Sequence, residues 1–401
     1  MCLDGEPGEM LRQEEEHPRL REQGAYFTSA KMATRLAKVL DVGQSADYGQ
    51  VYLDPTCGAG DLLLAVAKKL PIANTFRGTL DHWGQWLAGC DISPDFIRLA
   101  KARLALLALK RCGVRPSDES IVLDHTFPKI VEADFLSYSQ PSHRTDVVIM
   151  NPPFGYTRAP DECEWARGRI SAAAMFVERV IQDSQEGTRI VAILPDVLRS
   201  GSRYERWRNM ISTLGAIRRE RPLGLFDRWA DVDVYLLDLL KTGEQKEGRA
   251  GVSINARKLG GVGRRFAVHV GPVVPHRHEE VGPEVRYIHA RSLPAWGEQK
   301  RIVEKRKFTG RLFEPPFVAI RRTSRPDGGK RAIATLVLGK GAVAVENHLM
   351  VLLPKDGTED TCRALITRLE SSKTDNWLNR RLRCRHLTTS VLAEMPWWYK
   401  P

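Results

Sequence analysis

Residues 145–156, TDVVIMNPPFGY, constrain the fold of this chain more than any other segment. The four apolar residues 147–150 are typical of a short strand buried in a parallel sheet. Asn151-Pro152-Pro153-Phe154 ends that strand, because proline fixes φ and lacks the amide donor that would continue the ladder. Open α/β sheets bind ligands at the carboxyl ends of their strands, so this turn is predicted to lie at a binding edge. A plain turn capped by Asn151 is the alternative.

The residues of this turn suit a reaction at the exocyclic amine of a nucleobase. Such an amine is a poor nucleophile, because its lone pair is delocalised into the ring. The Asn151 side-chain oxygen and the Pro152 backbone oxygen can accept its N–H groups, which favours a tetrahedral nitrogen with a free lone pair. The Phe154 ring offers a flat face for the base. We therefore predict a catalytic turn formed by Asn151, Pro152, Pro153 and Phe154.

Strand and helix patterns alternate over residues 24–240, which indicates a doubly wound α/β sheet. Residues 71–86, between one predicted helix and the next strand, are expected to form a loop insertion. The predicted strands are 52–54, 87–90, 130–133, 147–150, 189–194, 217–225 and 232–240. The predicted helices are 30–40, 61–70, one that starts at 94, 171–182 and 201–214.

The segment YLDPTCGAG, residues 52–60, reads as a strand followed by a glycine-containing turn. Gly58 and Gly60 would let the backbone approach a ligand closely, and the following helix would direct its N-terminus at it. The segment is neither GxGxxG nor a P-loop. Asp54 is placed to hold a cationic or hydroxylated ligand. A tight turn that binds nothing is the alternative.

Two more acidic residues follow predicted strands. Asp91 ends the second strand, where a carboxylate can accept both hydroxyls of a ribose. Asp134 follows the third strand and could accept an adenine amino group, while the Phe135 ring could stack on the adenine. The alternatives are a turn residue at 91 and an acidic cap beside a core aromatic at 134–135.

Charge is unevenly distributed along the 401 residues, which carry a net charge of +12. Residues 1–240 contain 30 basic and 33 acidic side chains, whereas residues 241–401 contain 31 and 16. This asymmetry predicts a catalytic unit joined to a unit that binds a polyanion. A charge-rich solvated surface is the alternative. Residues 1–23 read as an acidic arm, and residues 241–251 read as a polar linker before a strand-rich region.

Several protein classes do not fit the sequence. No apolar run reaches 18 residues, so no transmembrane helix is predicted, and the acidic start does not resemble a signal peptide. The seven cysteines are scattered and form no CxxC pair, which favours reduced thiols over disulfides or a zinc site. His276 and His278 are expected to be solvated, so no metal is predicted. We expect a cytoplasmic protein of a bacterium or archaeon.

The ordered motifs GAYFTS, LDPTCGAGD, Asp91, Ala133-Asp134-Phe135 and Asn151-Pro152-Pro153-Phe154 resemble those of amino-methyltransferases that modify DNA with S-adenosylmethionine. Their order is similar to that of the gamma class of N6-adenine enzymes. The resemblance implies a Rossmann-like methyltransferase sheet with a mixed, strand-rich target-recognition domain at its C-terminal side. It also implies an arm at 1–23, a catalytic domain at 24–245 and a DNA-recognition domain at 246–401.

By this resemblance, one set of residues would line the cofactor, and two aromatic rings, Phe154 and Phe226, would stack on the target base. Phe226 could equally be a core residue. The family often has proline where Ser29 stands and tyrosine where Phe154 stands, but serine can cap a helix and phenylalanine can stack. The cofactor set is Tyr26, Thr28, Asp54, Pro55, Cys57, Gly58, Gly60, Asp91, Ile92, Asp134 and Phe135.

The resemblance implies transfer of a methyl group from S-adenosylmethionine to the N6 amine of an adenine flipped out of double-stranded DNA. We expect a monomer on DNA, serving a restriction or defence system with or without a separate cognate protein. A solitary methylase stays open. So do cytosine N4, RNA or protein glutamine as the target, and an inactive nucleic-acid-binding relative.

Overall fold

The computed structural model describes residues 3, 28, 30–40, 49–113, 122–137, 144–226, 232–243, 261–326 and 328–397. Tyr26, Ser29 and nearly all of the predicted acidic arm lie outside the described residues. The chain divides into two compact units, one of residues 1–199 and 203–251 and the other of residues 200–202 and 252–401.

A seven-stranded sheet forms the centre of the first unit, with the order β3-β2-β1-β4-β7-β9-β8. The first five strands in that order are parallel, and β9 runs antiparallel to both of its neighbours. The strand order reverses between β1 and β4, so the prediction of a doubly wound sheet is confirmed. The strands of this unit are β1 Tyr52–Asp54, β2 Leu87–Asp91, β3 Ile130–Glu132, β4 Val147–Met150, β5 Tyr156–Arg158, β6 Arg169–Ser171, β7 Arg189–Pro195, β8 Gly215–Leu225 and β9 Asp233–Lys241.

Helices cover both faces of this sheet. Val147 and Ile149 of β4 join a buried cluster with helices α1 to α4, whereas Val148 and Met150 join a second cluster with α6 and α8. Successive strand residues point to opposite faces, so an apolar run such as VVIM requires a hydrophobic layer on each side. The helices are α1 Ala30–Leu40, α2 Asp61–Ala67, α3 Phe76–Trp86, α4 Pro94–Cys112, α5 Leu123–Thr126, α6 Ala172–Asp183, α7 Asp196–Ser200 and α8 Glu205–Leu214.

The expected loop at residues 71–86 is wrong, because most of this segment is helix α3. The Thr75 hydroxyl caps the helix by accepting a hydrogen bond from the Gly78 N–H. Trp83 is fully buried and donates its indole N–H to the Pro71 carbonyl at 3.1 Å. Gly84 is needed inside the helix, since a Cβ there would lie 2.0 Å from the Thr126 carbonyl oxygen. The glycines that suggest a loop therefore permit close packing of a helix.

The second unit is mixed and strand-rich, as predicted. A five-stranded sheet has the order β10-β17-β14-β15-β12, and a three-stranded sheet has the order β13-β11-β16. Helices α10 to α12 pack on the larger sheet around one buried apolar cluster. The elements are α9 Val262–Arg265, β10 Phe266–Val270, β11 Glu284–Ile288, β12 Glu298–Gln299, β13 Lys305–Lys307, β14 Phe317–Arg321, β15 Ala334–Val337, β16 Val343–Val345, β17 Leu349–Pro354, α10 Glu359–Leu369, α11 Ser372–Arg381 and α12 Thr389–Glu394.

The arginines of the second unit do not all face solvent. Arg331 is fully buried, and its guanidinium donates to the backbone carbonyls of Ser324, Leu382 and Cys384. Charged groups are buried in proteins only with such compensation. The count of basic residues therefore overstates the positive charge that the surface of this unit presents.

No helix within the described ranges has both the length and the apolar character that a membrane crossing requires.

Candidate active site

A cavity of about 390 Å³ lies at the carboxyl ends of β1, β2, β3 and β4. It is located where the strand order reverses, the position at which open α/β sheets bind ligands. Its wall consists of Thr28, Asp54, Pro55, Thr56, Cys57, Gly58, Ala59, Asp61, Leu62, Asp91, Ile92, Ser93, Phe96, Ala133, Asp134, Phe135, Asn151, Pro153 and Phe176.

Most of the residues that the sequence nominated for cofactor binding or catalysis lie in this wall. Gly60, Pro152, Phe154 and Phe226 do not line it, and Tyr26 lies outside the described residues. The sequence reasoning also missed several lining residues. Those missed are Thr56, Ala59, Asp61, Leu62, Ser93, Phe96, Ala133 and Phe176.

Asp54 ends β1 and is only 1% exposed. Its carboxylate accepts hydrogen bonds from the Thr56 N–H at 3.0 Å and the Thr56 hydroxyl at 3.4 Å. Burial nevertheless dominates and raises the pKa of Asp54 from 3.8 to about 8. The charged form of this side chain therefore needs a cationic partner, which makes Asp54 a candidate for holding a positively charged ligand.

Asp91 ends β2 and connects two loops of the cavity. Its carboxylate accepts the Gly58 N–H at 3.0 Å and the Ser93 N–H at 2.9 Å. Burial raises the pKa of Asp91, and these backbone donors oppose the rise. Asp54 and Asp91 thus place two carboxylates in one cavity, a distribution that suits a ligand bearing positive charge and hydroxyl groups.

Gly58 and Gly60 serve different purposes. Gly58 has a φ of +49° and contributes backbone to the cavity wall. Gly60 has a φ of +86°, and a Cβ there would lie 3.0 Å from the Ala100 side chain on α4. Gly60 therefore allows the turn into α2 and its close packing against α4.

A buried arginine fixes the same turn from behind. Arg103 on α4 is 1% exposed and donates to the Ala59 carbonyl at 2.5 Å and to the Asp61 carboxylate at 2.8 Å. Asp61 lies in the cavity wall. Arg103 therefore sets the position of cavity backbone without lining the cavity itself.

An aromatic pair forms another part of the wall. The rings of Phe135 and Phe176 stack with centroids 6.1 Å apart and an interplanar angle of 17°. Asp134, beside them, is exposed, and its carboxylate accepts hydrogen bonds from the Leu136 N–H and the Ser137 hydroxyl. Phe176 lies on α6, and its sequence gives no signal of a place in the cavity.

Asn151 follows β4 directly and is buried at 9% exposure. Its amide nitrogen donates to the Thr28 hydroxyl oxygen at 2.9 Å, across 123 positions of sequence. With the nitrogen directed at Thr28, the amide oxygen is the atom that can accept a ligand N–H. Thr28 belongs to the GAYFTS segment, so the structure brings the first and last of the sequence motifs together.

Phe154 and Phe226 contact each other. Their ring centroids are 5.1 Å apart at an interplanar angle of 83°, an edge-to-face arrangement, and both side chains are buried. A base stacked between two rings requires nearly parallel ring planes about 7 Å apart, twice an ordinary stacking distance. The expected two-sided clamp therefore does not exist in this conformation.

Solved structures share this fold. The restriction-modification enzyme MmeI, of type IIL, solved in complex with DNA, aligns with 96% of this chain and 70% of its own at 12% identity and a TM-score of 0.59. A modification subunit of a putative type I restriction enzyme from Vibrio vulnificus aligns with 68% of this chain at 16% identity and a TM-score of 0.43. This chain covers 52% of that subunit, about half its length. No curated protein sequence matches the chain significantly.

The sequence itself matches a family model. The model, described as N-6 DNA Methylase, matches residues 10–218, slightly more than half of the 401 residues. The matched region contains every residue of the cavity wall. It also contains the motifs that carry the resemblance, which this match confirms, and the chain therefore belongs to the N-6 DNA methylase family.

Proposed function

We propose that the protein transfers a methyl group from S-adenosylmethionine to the N6 amine of an adenine in double-stranded DNA. One observation carries this proposal: Asn151 lines the same cavity as the carboxylates of Asp54 and Asp91. An amide that accepts from an amine thus lies beside groups suited to a cationic cofactor. Family membership supports the same activity.

The lining residues fit the cofactor. A volume of about 390 Å³ falls within the roughly 300–1,000 Å³ of small-molecule sites. Asp54 would hold positive charge, Asp91 the ribose hydroxyls, and Phe135 with Ile92 the adenine faces. Ile92 is 69% exposed, and a bound adenine would cover this apolar side chain. When bound, S-adenosylmethionine supplies an electrophilic methyl group on its sulfonium.

Asn151 would orient the target amine. The Thr28 hydroxyl holds the amide so that its oxygen can accept an N–H of that amine. The Pro152 carbonyl would accept the second N–H, and the two bonds would direct the nitrogen lone pair at the methyl group. Positioning of this kind, with electrostatic stabilisation, supplies the rate enhancement. The alkylated nitrogen loses its proton easily, so no strong base is required.

The target adenine would enter from DNA by base flipping. Phe154 would provide one stacking face, and Phe226 the other after its ring rotates away from the edge-to-face contact. Residues 24–245 would form the catalytic domain, and the basic residues 246–401 would hold the duplex as a target-recognition domain. MmeI, which shares the fold across both units, was solved with DNA.

Methyl transfer from labelled S-adenosylmethionine to unmethylated genomic DNA tests the proposal, with the modified base identified by mass spectrometry. N6-methyladenine in DNA is the expected product, and Asn151→Ala should abolish it while cofactor binding persists. N4-methylcytosine, or label in RNA or protein instead, would reject the adenine assignment. Cofactor binding without any transfer would indicate an inactive relative.

A further inference from the structure

We propose that the hairpin β5–β6 binds the phosphate backbone of the target strand, next to the flipped base, through Arg158, Arg169 and Tyr156. This inference rests on the proposed function, since it names the surface of the catalytic unit that the DNA contacts. The three side chains lie outside the cavity and are not among the residues predicted from the sequence motifs.

The three side chains share one exposed face. Arg158 pairs directly with Arg169 across the antiparallel strands, and Tyr156 lies two residues before Arg158. Side chains alternate between faces with a period of two, and Ile170, on the opposite face, is fully buried. Tyr156 is 58% exposed, and the Arg169 guanidinium lies over its ring at 6.0 Å.

The charges on this face lack compensation from the protein. In the described part of the chain, neither Arg158 nor Arg169 forms an ion pair. Like charges directly opposite each other on two strands destabilise the pair. By contrast, the exposed arginines Arg77, Arg98 and Arg179 each pair with an aspartate one helical turn away. Two facing arginines without a carboxylate are best satisfied by an anionic ligand.

The hairpin is fixed beside the catalytic turn. Tyr156 lies five residues after Asn151, so the two α-carbons are at most about 17 Å apart. The Gly155 carbonyl accepts the Ala172 N–H at 2.9 Å, which closes the base of the hairpin where α6 begins. A strand whose base reaches Asn151 would therefore pass close to this face.

The chemistry of the face identifies the ligand as a nucleic-acid backbone. Guanidinium groups match phosphate oxygens in a bidentate geometry, and an exposed ring can stack on a base or sugar. The loop between the two strands carries Asp161, Glu162 and Glu164, which repel phosphate. The contact is therefore limited to the strands and excludes the tip of the hairpin.

The salt dependence of DNA binding tests the contact without knowledge of the recognition sequence. A fluorescein-labelled duplex of arbitrary sequence is titrated with the full chain at a series of salt concentrations. Each phosphate contact contributes about 0.9 to the slope of log affinity against log salt, so Arg158→Ala with Arg169→Ala should lower the slope by about two. Tyr156→Ala should weaken binding without changing the slope, because the ring carries no charge.

Arg144→Ala is the matched control. Arg144 is an 80% exposed arginine that precedes the same strand β4, and it therefore lies at the opposite, amino edge of the sheet. An unchanged slope in the double variant, or an equal decrease in the control, would overturn the proposal. Cofactor binding by every variant shows that it is folded. Methyl transfer by the wild type, measured separately, tests the proposed function, so the two failures are distinguishable.

Discussion

Asp54 predicts that cofactor binding releases a proton at neutral pH. Burial raises the pKa of Asp54 to about 8, so its carboxyl binds about 0.9 proton at pH 7 before the cofactor arrives. A cation beside the carboxylate favours the charged form, so binding should expel most of that proton. Asp91, whose pKa burial also raises, adds to the release.

The direction of the pH dependence follows. Below about pH 8, each unit rise in pH should increase the affinity for the cationic cofactor up to tenfold, and above that value the affinity should level off. Without cofactor, the native protein binds more protons at Asp54 than the unfolded chain between pH 3.8 and about 8. The stability that this group contributes is therefore fully present at low pH and decreases as pH rises through that window.

Asp54→Asn tests both consequences. Calorimetry of cofactor binding at pH 7, in buffers with different ionisation enthalpies, counts the protons released. The variant should release most of a proton less than the wild type and bind the cofactor more weakly. It should also lose part of the pH dependence of urea unfolding. Asp134→Asn, an exposed acidic residue of the same wall, is the control and should keep the release. Equal proton release by wild type and Asp54→Asn would refute the reasoning.

Further predictions concern the other side chains of the site. Asp91→Ala should weaken cofactor binding by about 1–3 kcal/mol, because the Gly58 and Ser93 amides lose their acceptor, and unchanged affinity by calorimetry would remove Asp91 from the site. Thr28→Val should lower kcat more than it weakens cofactor binding, and Thr28→Ser should restore the rate if the hydroxyl orients Asn151. Phe226→Ala should reduce the flipped population reported by 2-aminopurine at the target position, since stacking is worth roughly 1–3 kcal/mol per base. An unchanged signal and rate would make Phe226 a core residue.

The strands were predictable from sequence because their signal is local. The apolar run 147–150 coincides with β4, and the predicted strand 317–321 coincides with β14. Helix α3 was not predictable in this way, because its glycines look like breaks. Only the backbone of Thr126, 42 positions after Gly84, shows why a glycine is required inside that helix.

The same distinction separates the site residues that sequence could nominate from those it missed. Asp54, Asp91 and Asn151 each end a strand of one parallel sheet, and the topology alone brings such residues to one edge. Arg103 and Phe176 reach the site through the packing of α4 and α6, which no local pattern encodes.

Phe154 and Phe226 combine both situations. Each follows a strand that ends at the carboxyl edge of the sheet, so their proximity was predictable, whereas the angle of 83° between their rings was not. That angle has a mechanistic consequence, because a base cannot stack on both rings until one of them turns. The edge-to-face contact is worth about 0.5–1.5 kcal/mol, and stacking a base returns roughly 1–3 kcal/mol per ring. Base entry can therefore drive the rotation, and the catalytic turn would hold its stacking face covered until DNA presents an adenine.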